Sequence, residues 1–250
     1  MSRTATHVGQ VPALTRPEAA SLAAAENARF VELVTSLDDE DWVKPTDCPD
    51  WDVRALALHL LGAMEGHVSV REFVHQMRAG KKAAGDRPFI DGMTEVQVRD
   101  RRHLAPPEIV ARLAVAGPRA AAARKRLPAP FRRLSFAEEV AGVTEKWRVG
   151  YLFDVILTRD TWMHRVDLSR ATGRPLELTP GHDGRIVADV VAEWARRHDR
   201  PFTLTLGGPA GGVFTQATAG EQIAMDAVEF ARTLSGRAQG TGLLSRAVPF

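Results

Sequence analysis

The chain is poor in the residues that carry disulfide and dithiol chemistry. Cys48 is its single cysteine, so no internal disulfide and no paired-cysteine motif is available. That usage suits a reducing compartment. No stretch approaches the ~18 uninterrupted apolar residues of a membrane-spanning helix. The N-terminus lacks the continuous apolar run of a signal peptide, and the expected location is cytoplasmic. An excess of one charge is missing too: 33 basic residues against 31 acidic leave a net charge of +2. The densest basic tract, Arg119 to Arg133, is not interleaved with aromatics and carries Phe131 alone. Neither nucleic acid nor a membrane is therefore an expected partner. There is no Ser-His-Asp arrangement. The Gly207-Gly208-Pro209-Ala210-Gly211-Gly212 run lacks the Gly-Lys-Ser/Thr ending of a phosphate loop and reads as a hairpin turn.

What is present is core-forming material. The 250 residues are 44% hydrophobic and 26% charged, enough for one large domain or two ordinary ones. Residues 1–14 show no periodicity and read as a loose arm. Thr15 to Glu18 matches a capping box, and a helix to about Leu37 follows. After a Pro-containing connection, Asp50 caps a second helix to about Ala79, loosened at Gly62 and Gly66. Helices over about 94–104 and 107–127 come next, the latter kinked at Gly117-Pro118. A Pro/Arg-rich loop then reaches Lys146. A helix from Trp147 ends at Gly173, a fitting residue beyond a helix C-terminus. Past Pro175 the pattern is a helix over 183–197, strands over 202–206 and 213–217, and a last helix over 221–234. The expected domains are a helical bundle at 1–175 and a smaller α/β domain at 176–250.

The run Arg159-Asp160-Thr161-Trp162-Met163-His164-Arg165-Val166-Asp167 carries the chemistry. Asp160 and His164 differ by ~40° around a helix axis and share a face. A carboxylate and an imidazole so placed form two thirds of a metal site, or an ordinary ion-pair face. His59, among apolar residues on the second helix, is the candidate third ligand; its bland alternative is a core histidine bonded to a carbonyl. Asp167 would support an imidazole from behind or pair with a neighbouring arginine. His67 and His75 lie ~80° and ~160° from His59 and are expected to be solvated or interfacial. Tyr151, nine residues before Asp160, falls ~180° away on an ideal helix, outside any such site.

Several segments resemble one family. Asp41-Trp42, Cys48-Pro49-Asp50-Trp51-Asp52-Val53 and Leu58-His59-Leu60 resemble the approach to the metal helix of the DinB-like, mycothiol-dependent maleylpyruvate isomerase family. Asp160 to Leu168, with Ala171 and Gly173, resembles its second metal motif. Asp226-Ala227-Val228-Glu229-Phe230 with Leu234-Ser235-Gly236-Arg237 resembles its C-terminal domain. The resemblance implies an α+β fold: a DinB-like antiparallel four-helix bundle followed by a small α/β C-terminal domain. It implies a divalent metal held by His59, Asp160 and His164, with zinc first and nickel, iron or manganese as alternatives. The family pattern has Glu where this chain has Asp160, one methylene shorter. The resemblance further implies mycothiol as thiol co-substrate and a small electrophilic substrate. Addition of the thiol to a cis double bond permits rotation before elimination; S-transfer is the other outcome. Arg237 is implied as a catalytic anion binder, against the alternative of a helix-terminal arginine facing the dipole. Cys48 is expected to be a packed thiol rather than a nucleophile. The competing readings are a non-catalytic metal-binding stress or partner-binding protein, and a bundle that has lost its metal. The sequence leaves the oligomeric state open.

Overall fold

The computed structural model describes residues 4–250. In chain order the elements are β1 (Ala5–His7), α1 (Arg16–Thr35), α2 (Val53–Val68), α3 (Val70–Ala84), α4 (Phe89–Arg99), α5 (Pro106–Arg126) and the short α6 (Ala129–Arg133). They continue with β2 (Ser135–Val140), β3 (Val143–Arg148), the single turn α7 (Val149–Tyr151), a π-helical turn over Leu152–Ile156 and α8 (Leu157–Thr172). The last elements are α9 (Asp183–His198), β4 (Phe202–Gly207), β5 (Val213–Gln216), β6 (Glu221–Asp226) and α10 (Ala227–Leu234). Helices and a small sheet together give the expected α+β class.

The chain forms two compact units, and their grouping is not linear in sequence. The larger comprises Arg16–Glu139 with Lys146–Pro175. The smaller comprises Leu176–Phe250, the hairpin tip Val140–Glu145 and the segment up to Thr15.

In the larger unit α1, α2, α5 and α8 pack on one another, with α3 and α4 laid against α2. Phe30, Val34, Leu56, Leu61, Leu113 and Leu168 come from all four long helices and meet in one buried cluster. Two buried polar contacts fix α1 within it. Glu26 takes Arg165 of α8 in an ion pair at 2.6 Å. Asn27 Nδ2 donates to the Gly117 carbonyl at 2.9 Å.

The helix boundaries differ from the expected ones for local reasons. Asp52, not Asp50, caps α2, its side chain accepting from Ala55 N–H at 2.7 Å. The expected single helix to Ala79 is two: Ser69 adopts φ −121°, ψ 117° and caps α3. Gly62 and Gly66 do not loosen α2; they let neighbours approach. A Cβ on Gly62 would fall 2.6 Å from Gln97 Cβ. α4 begins at Phe89 rather than near Thr94. α5 runs through Pro118 as one helix. The expected loop before Lys146 contains the β2–β3 hairpin, turned through Ala141 and Gly142 at φ 48° and 79°. Two successive positive φ values are what a tight hairpin requires.

The smaller unit carries a four-stranded sheet of order β1-β5-β4-β6. β4 and β5 are antiparallel, while β1 joins β5 and β6 joins β4 in parallel. The segment expected as a loose arm thus supplies an edge strand. The expected helix over 221–234 is a strand followed by a helix, divided at Asp226, which caps α10 through Val228 N–H at 2.8 Å. Trp194 anchors this unit's core, its ring 4.8 Å from Phe202 and 5.4 Å from Phe230 in edge-to-face contact. Among the described residues no helix is long and apolar enough to cross a membrane.

Candidate metal centre

The site lies wholly within the larger unit, and a closed loop prepares it. Val53 N–H donates to the Lys44 carbonyl at 3.0 Å and Thr46 N–H to the Trp51 carbonyl at 3.2 Å, pinching residues 44–53. Inside this loop Cys48 N–H donates to Thr46 Oγ1 at 3.1 Å, and Trp51 N–H to the Cys48 carbonyl at 3.0 Å. Cys48 and Trp51 are thereby aimed at the start of α2 and the middle of α8. The Trp51 ring lies 4.8 Å from His59 and 5.8 Å from His164. It gives both imidazoles an apolar wall.

His59, Asp160 and His164 converge. His59 Nε2 is 3.6 Å from Asp160 Oδ2 and His164 Nε2 is 3.4 Å from Asp160 Oδ1. One ligand atom from each of the three lies within 4.8 Å of the others. Bonds of ~2.0–2.1 Å in tetrahedral array separate ligand atoms by ~3.3–3.4 Å. Two nitrogens and a carboxylate oxygen at this spacing fit a divalent cation, and three protein ligands leave further coordination positions free.

The histidine tautomers follow from the groups behind them. Gln76 Nε2 donates to the Gly62 carbonyl at 2.8 Å, which fixes the orientation of that amide. Its Oε1 then accepts from Gln97 Nε2 at 2.9 Å. Gln97 Oε1, at 2.8 Å from His59 Nδ1, can only accept. His59 Nδ1 therefore donates to Gln97, and Nε2 is the ring nitrogen turned toward Asp160. His164 is set the same way: its Nδ1 is 3.0 Å from Asp167 Oδ2, with Cys48 Sγ at 3.9 Å. A carboxylate or amide behind each imidazole is the usual support for metal-ligating histidine.

The charges are strongly coupled. Burial pushes the Asp160 carboxyl up, yet His164 and His59 together hold it far below the usual carboxylate range. Burial lowers His164, and Asp160 and Asp167 more than reverse this, raising it well above the ordinary imidazole value. In the absence of a cation a proton on His164 satisfies the same carboxylates, so a cation and that proton compete.

His59, Asp160 and His164 are thus brought together, and Asp167 stands behind His164. Cys48, expected as a packed thiol, is half-buried and lies against the site. Its Sγ lies 3.6 Å from Asp167 Oδ2, behind His164. His75 pairs with Asp100 at 2.6 Å. Arg237 follows Gly236 (φ 82°) in the smaller unit, where its N–H closes the end of α10 on the Arg232 carbonyl at 2.9 Å. Sequence reasoning missed Gln97 and Gln76. Their only trace was the pair of glycines on α2 that admit them.

A helical unit bearing two histidines and a carboxylate on α2 and α8, joined to a small sheet unit, defines the class. Residues 23–169 match the sequence profile of the mycothiol maleylpyruvate isomerase N-terminal domain, and the chain belongs to that family. Solved structures of a mycothiol-dependent maleylpyruvate isomerase and of a point mutant of it share the fold. Their TM-scores are 0.57 and 0.56, at 15% and 14% identity, over 93% of this chain and 92% of each of theirs. A search of curated protein sequences returns no match.

Proposed function

We propose that this chain is a divalent-metal-dependent enzyme that uses mycothiol to isomerise a small electrophile or attaches the thiol to it through sulfur. The observation that carries the reading is the convergence of His59 Nε2, Asp160 and His164 Nε2 with both Nδ1 protons directed away. A cation bound there supplies the Lewis acidity that holds a thiol as thiolate near neutral pH. Gln97 and Asp167 keep the two imidazoles oriented for it, and Trp51 limits water on one side. The short side chain of Asp160 suits the histidines, which approach it to 3.4 and 3.6 Å. Arg237 is proposed, on family resemblance, as a guanidinium for an anionic group. Zinc is the proposed metal.

The test is metal analysis of the purified protein beside an Asp160→Ala/His164→Ala variant, followed by mycothiol titration of the loaded protein. The reading requires about one metal per chain in the wild type and loss of it in the variant. Equal metal content in both would sink the site. Metal without thiol binding would favour a non-catalytic metal-binding protein instead.

A further inference from the structure

A groove opens on the larger unit between α3 and α5, both of which pack on α2. It encloses about 600 Å³, within the ~300–1,000 Å³ usual for small-molecule sites. His59, Asp160 and His164 are not among its lining residues.

The walls follow from the sequence. The break at Ser69 swings α3 off the line of α2 and leaves Val68 41% exposed at the bend. On α5, Ala111, Val115 and Arg119 recur at every fourth residue and share one face. Val115 is 54% exposed, and the buried Ala116 lies beside it in the lining. Small side chains on α5 thus keep the groove open, and two valines give it apolar surface.

The charges of the lining are unevenly spent. Its carboxylates are all engaged. Glu65 accepts from Arg101 at 2.8 Å and from Arg112 at 2.5 Å. Glu72 accepts from Arg101 at 2.6 Å, and Asp100 pairs with His75 at 2.6 Å and Arg99 at 3.1 Å. Arg119 is exposed, and among the described residues it makes neither a hydrogen bond nor an ion pair. One guanidinium is therefore left uncompensated at the edge of an apolar-walled groove.

We propose that this groove is a second ligand site, taking a small organic anion whose apolar body lies along Val68, Ala111 and Val115 and whose acidic group meets Arg119. The free guanidinium sets the sign of the ligand's charge and suits a planar or forked acid group. The valines require an apolar body, since an inorganic anion would leave them in water. A cationic ligand would meet only carboxylates already supplied with donors. The site does not depend on the assignment of the metal centre.

The experiment is a fluorescence titration of the full chain, as purified and after chelation, with anilinonaphthalene sulfonate and with phenylnaphthylamine, the same rings without the sulfonate. The sulfonate is expected to bind one per chain, and the neutral probe at least threefold more weakly, a difference that one solvent-exposed ion pair can supply. Arg119→Gln is expected to abolish that preference with an unchanged melting temperature, and Arg119→Lys to keep it. Val115→Glu, which puts a carboxylate on the apolar wall, should weaken both probes at least tenfold. Methyl NMR signals of Val68, Ala111 and Val115 should shift during the titration. Equal binding of the two probes by the wild type would overturn the proposal, as would a preference undiminished in Arg119→Gln or shifts confined to other methyls. A fall in the melting temperature of Arg119→Gln would show the guanidinium engaged in the fold and count against the assignment. Binding that disappears on chelation would place the probe at the metal centre and also overturn it.

Discussion

The Nδ1 of His59 lies 2.8 Å from Oε1 of Gln97, a residue 38 positions further along the chain. That contact connects a candidate ligand on α2 to an amide on α4, and through Gln76 to α3. The orientation of one imidazole thus depends on three helices. Replacing Gln97 by Leu removes the acceptor and frees the ring to flip. The expected result is a fall of ~10–100-fold in metal affinity, read by competition against a chelator. Unchanged affinity would show that the amide chain does not set the ring.

The buried pair of Glu26 and Arg165 makes a prediction for stability. Glu26→Gln leaves Arg165 buried without its carboxylate, and unfolding in urea should show a loss of ~3–5 kcal/mol. The double variant Glu26→Leu/Arg165→Met, which removes both members of the pair, should recover part of it. A double variant as unstable as the single one would contradict this.

Gly92 sits where α3 and α4 cross. A Cβ there would fall 2.2 Å from the Gly80 carbonyl oxygen and 2.4 Å from Ala84 N. Both contacts are backbone and cannot swing aside. Gly92→Ala should cost ~1–3 kcal/mol. Because α4 carries Gln97, metal affinity should fall with stability. A fully stable variant with normal affinity would rule out the close crossing.

His67 supplies a pH prediction. Its folded value is about 3 against an ordinary 6.5, so below pH 6.5 the unfolded chain takes up a proton that the folded chain refuses. The contribution is complete above 6.5 and is lost as pH falls toward 3. Between pH 7 and 5 the wild type should lose about 2 kcal/mol that His67→Gln does not. Denaturant midpoints of the two proteins at both pH values provide the check. Parallel losses would place His67 in water.

Much of the centre was legible because its ligands repeat locally. Asp160 and His164 share one helical face at a spacing of four, and the turn before His59 has a distinctive Cys-Pro-x-Trp composition. Of the supports, Asp167 was legible from its spacing to His164, and Gln97 was not. Gln97 reaches His59 across a helix crossing, and that leaves no periodic mark in the sequence. Residues 221–226 mislead for a related reason. Glu221-Gln222-Ile223-Ala224-Met225-Asp226 suits a helix locally, and only pairing with β4 makes it a strand. Likewise Ala5 to His7 gain extended structure only from β5.

The wide turn at Leu152–Ile156 has a consequence for that spacing. Leu157 N–H reaches back to the Leu152 carbonyl, five residues away, so the helix takes in one residue more than its pitch would hold. Everything before the turn is out of step with everything after it by ~100°. Tyr151, the only tyrosine of the chain, is therefore rotated from the far side of the helix to within ~80° of the Asp160 direction. The turn acts as a phase joint. Excising one residue from it would leave the ligands and their spacing intact, yet return that phenol to the opposite side.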